Sequence, residues 1–187
     1  MDLPKVYPIT SEAFTFQELK TSVHRLASSK ITIFQYRRKS LHESEVKEEL
    51  ALLETVSSDM NISLIINSYH DNNLGNRFSG LHLTGEDLKK ATSRPVDRIK
   101  FFGISCHNEE EIRKAESLEA DYIFLSPVKE TPTHKELQPL GWENFSKLSK
   151  KTKLPVYALG GLRKEDLPEA EKNCAYGVAG ISRFWSH

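Results

Sequence analysis

The stretch Pro155-Val-Tyr-Ala-Leu-Gly-Gly161, with the later run Gly177-Val-Ala-Gly-Ile-Ser182, decides the fold. Each is a short apolar strand-like run that ends in residues whose backbone N–H groups are easily exposed. Paired glycine lets a main chain approach a ligand closely, since no Cβ intervenes. In an eight-fold β/α barrel, the loops after strands 7 and 8 frequently form a phosphate site. Read as the last two strands of such a barrel, the two runs imply a chain that handles a phosphorylated small molecule.

Working outward, strand-like runs recur at Val6–Thr10, Ile31–Tyr36, Ile62–Asn67, Gly80–Thr84, Phe101–Ser105, Tyr122–Leu125, Val156–Leu159 and Val178–Ile181. The 187 residues allow about 23 per strand-and-helix unit, against roughly 31 in a typical barrel, so the loops are trimmed. Helical signals lie between the strands. Phe16, Leu19, Val23 and Leu26 share one face behind a Thr15-x-x-Glu18 capping box. Val46, Leu50 and Leu53 mark a second helix, and Asn108-x-x-Glu111 caps a third. Trp142–Leu148 and Glu165–Lys172 give two later helices; Asp71–Phe78 and Asp87–Thr92 allow a turn or two each. Alternating strand and helix predicts a parallel sheet. An open doubly wound sheet would carry a Gly-rich turn after its first strand, whereas Thr10-Ser-Glu-Ala-Phe14 has no glycine. The expected fold is a (β/α)8 TIM barrel forming one domain over residues 1–187.

Lys plus Arg and Asp plus Glu number 26 each. That balance removes any global electrostatic case for nucleic acid or an anionic membrane. No apolar run approaches membrane-spanning length, and Met1–Lys5 has neither the basic nor the apolar region of a secretory signal. Cys106 and Cys174 do not read as a disulfide framework, so the cytoplasm is the expected compartment.

Chemistry in a barrel sits at the C-terminal strand ends. Arg37 and Lys39 alternate with Tyr36 and Arg38, which points two cations the same way. A guanidinium fork and an ammonium suit phosphate oxygens, although a solvated basic strand end reads the same. Asp87 could hold a divalent ion, or simply be the acidic first turn of a helix. Ser105 is either a hydroxyl donor to ligand or a helix cap. His82, His107 and His134, with Cys106, raise a transition-metal site, but their spacing matches no ligand motif. His82 alternates with Leu81 and Leu83, which suits a satisfied interior histidine. Trp142 and Trp185 are expected to pack helices on the barrel.

The ordered set Val6-Tyr-Pro-Ile-Thr10, Gln35-x-Arg37-x-Lys39, Ile66-Asn67, Gly80-Leu-His82-Leu, Gly103-Ile-Ser105, Ala120-to-Pro127, Thr131-x-Thr133, Ala158-Leu-Gly-Gly161 and Gly177-to-Ser182 resembles thiamine phosphate synthase across nearly the whole chain. The resemblance implies a TIM barrel that joins a hydroxymethylpyrimidine diphosphate to a thiazole phosphate and releases pyrophosphate with Mg²⁺. It implies Gln35 as the pyrimidine contact and Arg37, Lys39 and Asn67 as pyrophosphate ligands. Asp87 becomes a magnesium ligand, and Ser105, Thr131 and Thr133 become phosphate or pyrophosphate contacts. Gly160, Gly161, Ile181 and Ser182 become the thiazole-phosphate cradle. Catalysis then needs cations, alignment and no covalent nucleophile.

Three departures stand out. The family's Asn-Asp after the third strand is Asn67-Ser68, which removes a metal ligand unless Asp71 or Glu86 replaces it. The lysine after Thr-x-Thr is His134, and the Asp before the fourth strand's glycine is Ser79. The segments Leu125–Val128, Leu140–Trp142 and Pro155–Gly161 look closer still to a branch commonly fused behind a Nudix hydrolase. No hydrolase sequence lies in these 187 residues, so the resemblance implies a separate Nudix-type hydrolase as a partner. Two rivals remain: an isomerase like the thiazole tautomerases, with His134 or His107 as acid/base, and a non-catalytic binder of thiamine precursors. Ser68 favours the rivals. Arg37 with Lys39 favours the synthase, since a tautomerase has no pyrophosphate to hold.

Overall fold

A computed structural model describes residues 3–29, 31–131 and 138–185. All eight expected strands form: β1 (Val6–Pro8), β2 (Ile33–Tyr36), β3 (Ser63–Asn67), β4 (Gly80–Leu83), β5 (Phe101–Cys106), β6 (Tyr122–Leu125), β7 (Val156–Ala158) and β8 (Gly177–Gly180). They lie in the order β1-β8-β7-β6-β5-β4-β3-β2, and every ladder is parallel. The seam between β1 and β2 is closed by a bridge at Ile9 and Gln35, where Thr10 N donates to Gln35 O at 2.9 Å. The helices between strands are α1 (Phe16–Ser28), α2 (Glu43–Asp59), α3 (Leu74–Arg77), α4 (Gly85–Lys90), α5 (Glu109–Ser117), α6 (Gly141–Ser149) and α7 (Leu167–Lys172). None of the described helices is long and apolar enough to cross a membrane.

Local signals set the helix starts. Thr15 Oγ1 accepts from Glu18 N, and Glu18 Oε2 accepts from Thr15 N at 2.8 Å, which satisfies two donors at the head of α1. Asn108 Oδ1 accepts from Glu111 N at 2.9 Å and starts α5. Two expectations shift. Phe16 begins α1 but is 45% exposed, leaving Leu19, Val23 and Leu26 as the buried stripe. The helix expected over Glu165–Lys172 is a 3-10 turn, Lys164–Asp166, followed by α7, because Pro168 fits a first turn where its missing N–H costs nothing.

Strand alternation divides the core in two. Tyr7, Ile9, Ile33, Ile65, Phe101, Tyr122, Phe124, Tyr157 and Ala179 fill the barrel. Residues between them, such as Phe34, Ile66, Leu81 and Ile104, face the helices. At the end of β2 the same alternation sorts the charges. Tyr36 and Arg38 point outward into a buried cluster. Arg38 Nη2 donates to Phe14 O at 2.7 Å and to Glu49 Oε1 at 3.2 Å, and Tyr36 OH donates to Glu49 Oε2 at 2.9 Å. Burial pushes the Glu49 carboxyl above the usual carboxylate range, against the pull of Tyr36 and Arg38. Trp185 packs edge-on to Phe14 and Phe34 and donates Nε1–H to Ile9 O at 2.7 Å, tying the chain end to β1.

Candidate active site

Arg37 and Lys39 follow β2 on the mouth side, as alternation requires. Thr10, at the end of β1, clamps this turn: its Oγ1 accepts from Arg37 N at 2.8 Å and donates to Arg37 O at 3.0 Å. Glu12 then gathers the next residues, accepting from Lys39 N at 2.9 Å and from Ser40 Oγ at 2.8 Å. Its nearest approach to the Arg37 guanidinium is 3.9 Å. The Arg37 side chain is only 16% exposed. Burial lowers the pKa of both cations from their ordinary values, and for Lys39 the charge of Arg37 adds to the effect. Lys39 Nζ lies 4.9 Å over the ring of Tyr69, which is 52% exposed. Two partly desolvated cations side by side, offset by Glu12 at 3.9 Å from Arg37 and by the charge of Glu86 on Lys39, keep a positive character that a polyanion complements. Thr10, Glu12 and Tyr69 were not flagged by sequence reasoning; a lone Thr, Glu or Tyr in a loop carries no spacing signal.

Beneath the cations, Asn67 orders Gln35. Asn67 Oδ1 accepts from Tyr69 N at 3.0 Å, so its Nδ2 is the group that donates to Gln35 Oε1 at 2.8 Å. Gln35 Nε2 is consequently left buried, with no partner among the described residues. A buried amide donor without an acceptor is costly, and such groups are normally paired. A ligand acceptor reaching this depth of the mouth would relieve that cost.

Asp87 lies at the head of α4, where Thr84 caps the helix. Its Oδ2 accepts from Ser68 Oγ at 2.5 Å and from Thr84 Oγ1 at 2.7 Å. Ser68 Oγ itself accepts from Thr84 N at 2.9 Å, which directs its one hydrogen to Asp87. Neither suggested replacement restores a second carboxylate here. Asp71 Oδ1 accepts from Asn73 N and Nδ2, turning the chain into α3. Glu86 is exposed and acts on the mouth through its charge on Lys39. Among the described residues, no group of three His, Cys, Asp or Glu side chains could hold a metal. Asp87 is the carboxylate that this side of the mouth offers a hard cation.

The histidines separate. His82 is fully buried inside the barrel, with Nε2 at 2.9 Å from Ser105 Oγ and Nδ1 at 3.4 Å from Tyr122 OH. Burial, helped by the charge of Arg37, lowers its pKa to about 3, so the ring is neutral. Ser105 turns inward to His82 while Asn108 caps α5, which settles its two readings away from capping. His107 turns away to Glu111, 2.9 Å from Oε2, and Cys106 is buried with its thiol pushed up by desolvation. Thr133 and His134 lie outside the described residues; Thr131 precedes them at the end of the loop after β6.

The loops after β7 and β8 run side by side, because Tyr157 pairs with Gly177 and Ala158 with Val178. Gly160 has φ +103° and Gly161 φ +66°, conformations that favour glycine. A Cβ on Gly160 would stand 2.8 Å from Pro127 Cα, and one on Gly161 2.5 Å from Glu130 O. The missing side chains thus make room for the loop after β6, which is zipped on by Val128 N donating to Leu159 O and Lys129 N to Gly160 O. This packing, together with the positive φ values, is a second reason for glycine at both positions. Gly161, Ser182 and Arg183 are exposed, and their N–H groups have no backbone acceptor among the described residues. Ile181 and Ser182 start the 3-10 turn Ser182–Phe184, whose first amides are left free by helical geometry.

A parallel eight-strand barrel with a cation pair at one part of its mouth and free amides after its last two strands is a phosphate-handling β/α barrel. The comparisons make this specific. The thiamine monophosphate synthase family pattern matches residues 6–184. The chain is 32% identical over 168 residues to the thiamine-phosphate synthase of Syntrophomonas wolfei, covering 89% of this chain and 80% of that one. It is 30% identical over 183 residues to the thiamine-phosphate synthase of Halalkalibacterium halodurans, covering 96% and 87%. Its fold superposes on the thiamine phosphate pyrophosphorylase of Pyrococcus furiosus with a TM-score of 0.74 at 24% identity, over 95% of this chain and 85% of that one. The chain belongs to the thiamine monophosphate synthase family.

Proposed function

We propose that this chain is a thiamine-phosphate-synthase-type transferase. It joins a hydroxymethylpyrimidine diphosphate to a thiazole phosphate and releases pyrophosphate. The carrying observation is the Arg37–Lys39 pair, two partly desolvated cations with one carboxylate 3.9 Å away. The C–O bond to the diphosphate breaks, and its electron pair leaves with pyrophosphate. The exocyclic methylene becomes a cation stabilised by the pyrimidine ring. The thiazole nitrogen lone pair then forms the new C–N bond, and no proton need move. Arg37 and Lys39 hold the charge that develops on the leaving group. Gln35 Nε2 meets a pyrimidine acceptor, and Asn67 orients it. The amides around Gly161 and Ser182 hold the thiazole phosphate, fixing two rings in line. Asp87 would be the protein carboxylate for a Mg²⁺ ion bound with the diphosphate, and that ion would neutralise part of the leaving group's charge. The proposed setting is the cytoplasm, with a Nudix-type hydrolase as the proposed partner for hydrolysis of precursors.

The test supplies both precursors with Mg²⁺ and follows thiamine phosphate and pyrophosphate. Arg37→Ala should lower kcat by about 100-fold, roughly 2.7 kcal/mol of lost transition-state stabilisation. Thiazole-phosphate affinity should stay within about two-fold, because its amide cradle is built on other strands. Equal loss of turnover and thiazole-phosphate binding would overturn the assignment of Arg37. Tautomerisation of a thiazole phosphate without any coupling would overturn the synthase itself.

A further inference from the structure

Inside the barrel, four groups form one hydrogen-bonded chain from the mouth to the floor. Ser105 Oγ meets His82 Nε2 at 2.9 Å, His82 Nδ1 meets Tyr122 OH at 3.4 Å, and Tyr122 OH meets Tyr7 OH at 2.7 Å. Gly103 makes this packing feasible: a Cβ there would stand 2.5 Å from His82 Nδ1 and closer still to the Tyr122 ring.

The chain's direction follows from counting hydrogens. Each hydroxyl carries one, and the neutral imidazole carries one on either nitrogen. Three contacts use three hydrogens, so one is spare. It cannot be the imidazole's, because a neutral ring cannot accept at both nitrogens. If it belongs to Tyr122 or Tyr7, a fully buried O–H points at nothing, since neither has a further hydrogen-bond partner among the described residues. Such an arrangement carries the penalty of an unmade buried bond. If it belongs to Ser105, the spare hydrogen sits on a partly exposed residue at the mouth. Only this last arrangement leaves every buried hydrogen paired. Tyr7 then donates to Tyr122, Tyr122 to His82 Nδ1, and His82 Nε2–H to Ser105.

We infer that Tyr7, Tyr122 and His82 form a one-way hydrogen-bond chain that leaves the Ser105 hydrogen free to be donated to an anionic oxygen at the mouth, with His82 as its positioning residue. The inference rests on the reading of Ser105 as a contact to the diphosphate or its released pyrophosphate. It adds a preference: the Ser105 hydrogen is free for a ligand oxygen, while one of its two lone pairs is already taken by His82 Nε2–H.

Two measurements test it. In ¹⁵N-histidine-labelled protein at neutral pH, with His82→Gln used to assign the signal, long-range ¹H–¹⁵N spectra should show His82 as a single Nε2–H tautomer before any ligand is added. An Nδ1–H tautomer, an even mixture, or an imidazolium would overturn the direction of the chain, whatever the protein's reaction. Tyr122→Phe, which removes the donor to Nδ1, should convert that single tautomer to a mixture; an unchanged Nε2–H state would overturn the role of the tyrosines. The second measurement is binding of inorganic pyrophosphate with Mg²⁺ by calorimetry. Ser105→Ala should weaken it about ten-fold, as expected for a hydrogen bond to a charged group. His82→Phe should weaken it several-fold, and the double variant no more than Ser105→Ala alone, because the histidine acts through the serine. His82→Gln, which keeps a donor near Nε2, should restore most of the affinity. Multiplying losses in the double variant, or no rescue by glutamine, would overturn the positioning role. Wild-type protein that fails to bind pyrophosphate would reject the reading of the mouth while the tautomer still decides the chain.

Discussion

Replacing Ser68 by aspartate should make the stability of the fold depend on a divalent cation. Ser68 is 8% exposed and its hydroxyl lies 2.5 Å from Asp87 Oδ2, donating its hydrogen there while accepting Thr84 N at 2.9 Å. Ser68→Asp keeps an acceptor for Thr84 N but sets a second carboxylate where the hydrogen had been. Two unit charges about 4 Å apart repel by about 4 kcal/mol at an effective dielectric constant near 20. Loss of a hydrogen bond to a charged acceptor adds about 1.5–3 kcal/mol, and side-chain rotation recovers part of both. A net destabilisation of about 2–4 kcal/mol in chelator follows. At about 2–4 °C per kcal/mol for a chain this size, Tm should fall by about 5–15 °C. Added Mg²⁺ at about 100 times its Kd should return about 2.7 kcal/mol to the variant. Thermal unfolding by circular dichroism, in EDTA and in MgCl₂ at matched ionic strength, reads both arms. Wild-type protein should show no Mg²⁺-specific shift without diphosphate. A wild-type Tm that climbs with Mg²⁺ as much as the variant's, or a variant as stable as wild type in EDTA, would refute the account of this pair.

Two further outcomes follow from buried groups. The folded state holds His82 neutral down to about 3, whereas the unfolded chain takes up that proton near 6.5. Below 6.5 the unfolded state therefore binds more protons, so stability is full above that pH and is lost as pH falls toward 3, by up to about 1.4 kcal/mol per unit. Urea unfolding at pH 7, 6, 5 and 4 should show an acid limb that flattens by about one proton in His82→Gln; an unchanged slope would mean the ring is not held neutral. Cys106 is buried with a raised thiol pKa and Cys174 is exposed. A thiol reagent should titrate one equivalent in the native protein and two in denaturant; rapid reaction of both in native buffer would show that the end of β5 is open to solvent.

The barrel was legible because its determinants are local and periodic. Eight apolar runs, the Thr15–Glu18 capping box and the Asn108 cap each announce themselves within a few residues, and each forms as read. The split of Arg37 and Lys39 from Tyr36 and Arg38 followed from strand alternation alone. What alternation could not supply was the identity of distant neighbours. Thr10 reaches across 27 residues to hold Arg37, and Glu12 reaches across 27 to Lys39. Neither contact has a sequence period. The packing role of the paired glycines was hidden for a similar reason: the group that crowds them is the Pro127–Glu130 loop, more than thirty residues earlier in the chain.

The mouth has a consistent sign that no single residue reveals. Arg37 and Lys39 carry unpaired donor capacity, Gln35 Nε2 lacks an acceptor, and the amides of Gly161 and Ser182 face solvent. On the β3–β4 side the hydroxyl hydrogens of Ser68 and Thr84 both point into Asp87, so one carboxylate oxygen is already satisfied before any ligand comes. A ligand suited to this surface brings many lone pairs and almost no hydrogens, and it brings a cation if it is to approach Asp87 at all. A diphosphate with its magnesium ion meets both conditions, whereas a neutral sugar or a cationic amine meets neither. That asymmetry explains how the site can tolerate serine where a second carboxylate would complete a metal cage. In the proposed reaction, with the ion carried by the substrate, a permanent second negative charge near Asp87 would repel the diphosphate whenever the metal is absent, and a hydroxyl that donates to Asp87 lowers that repulsion instead.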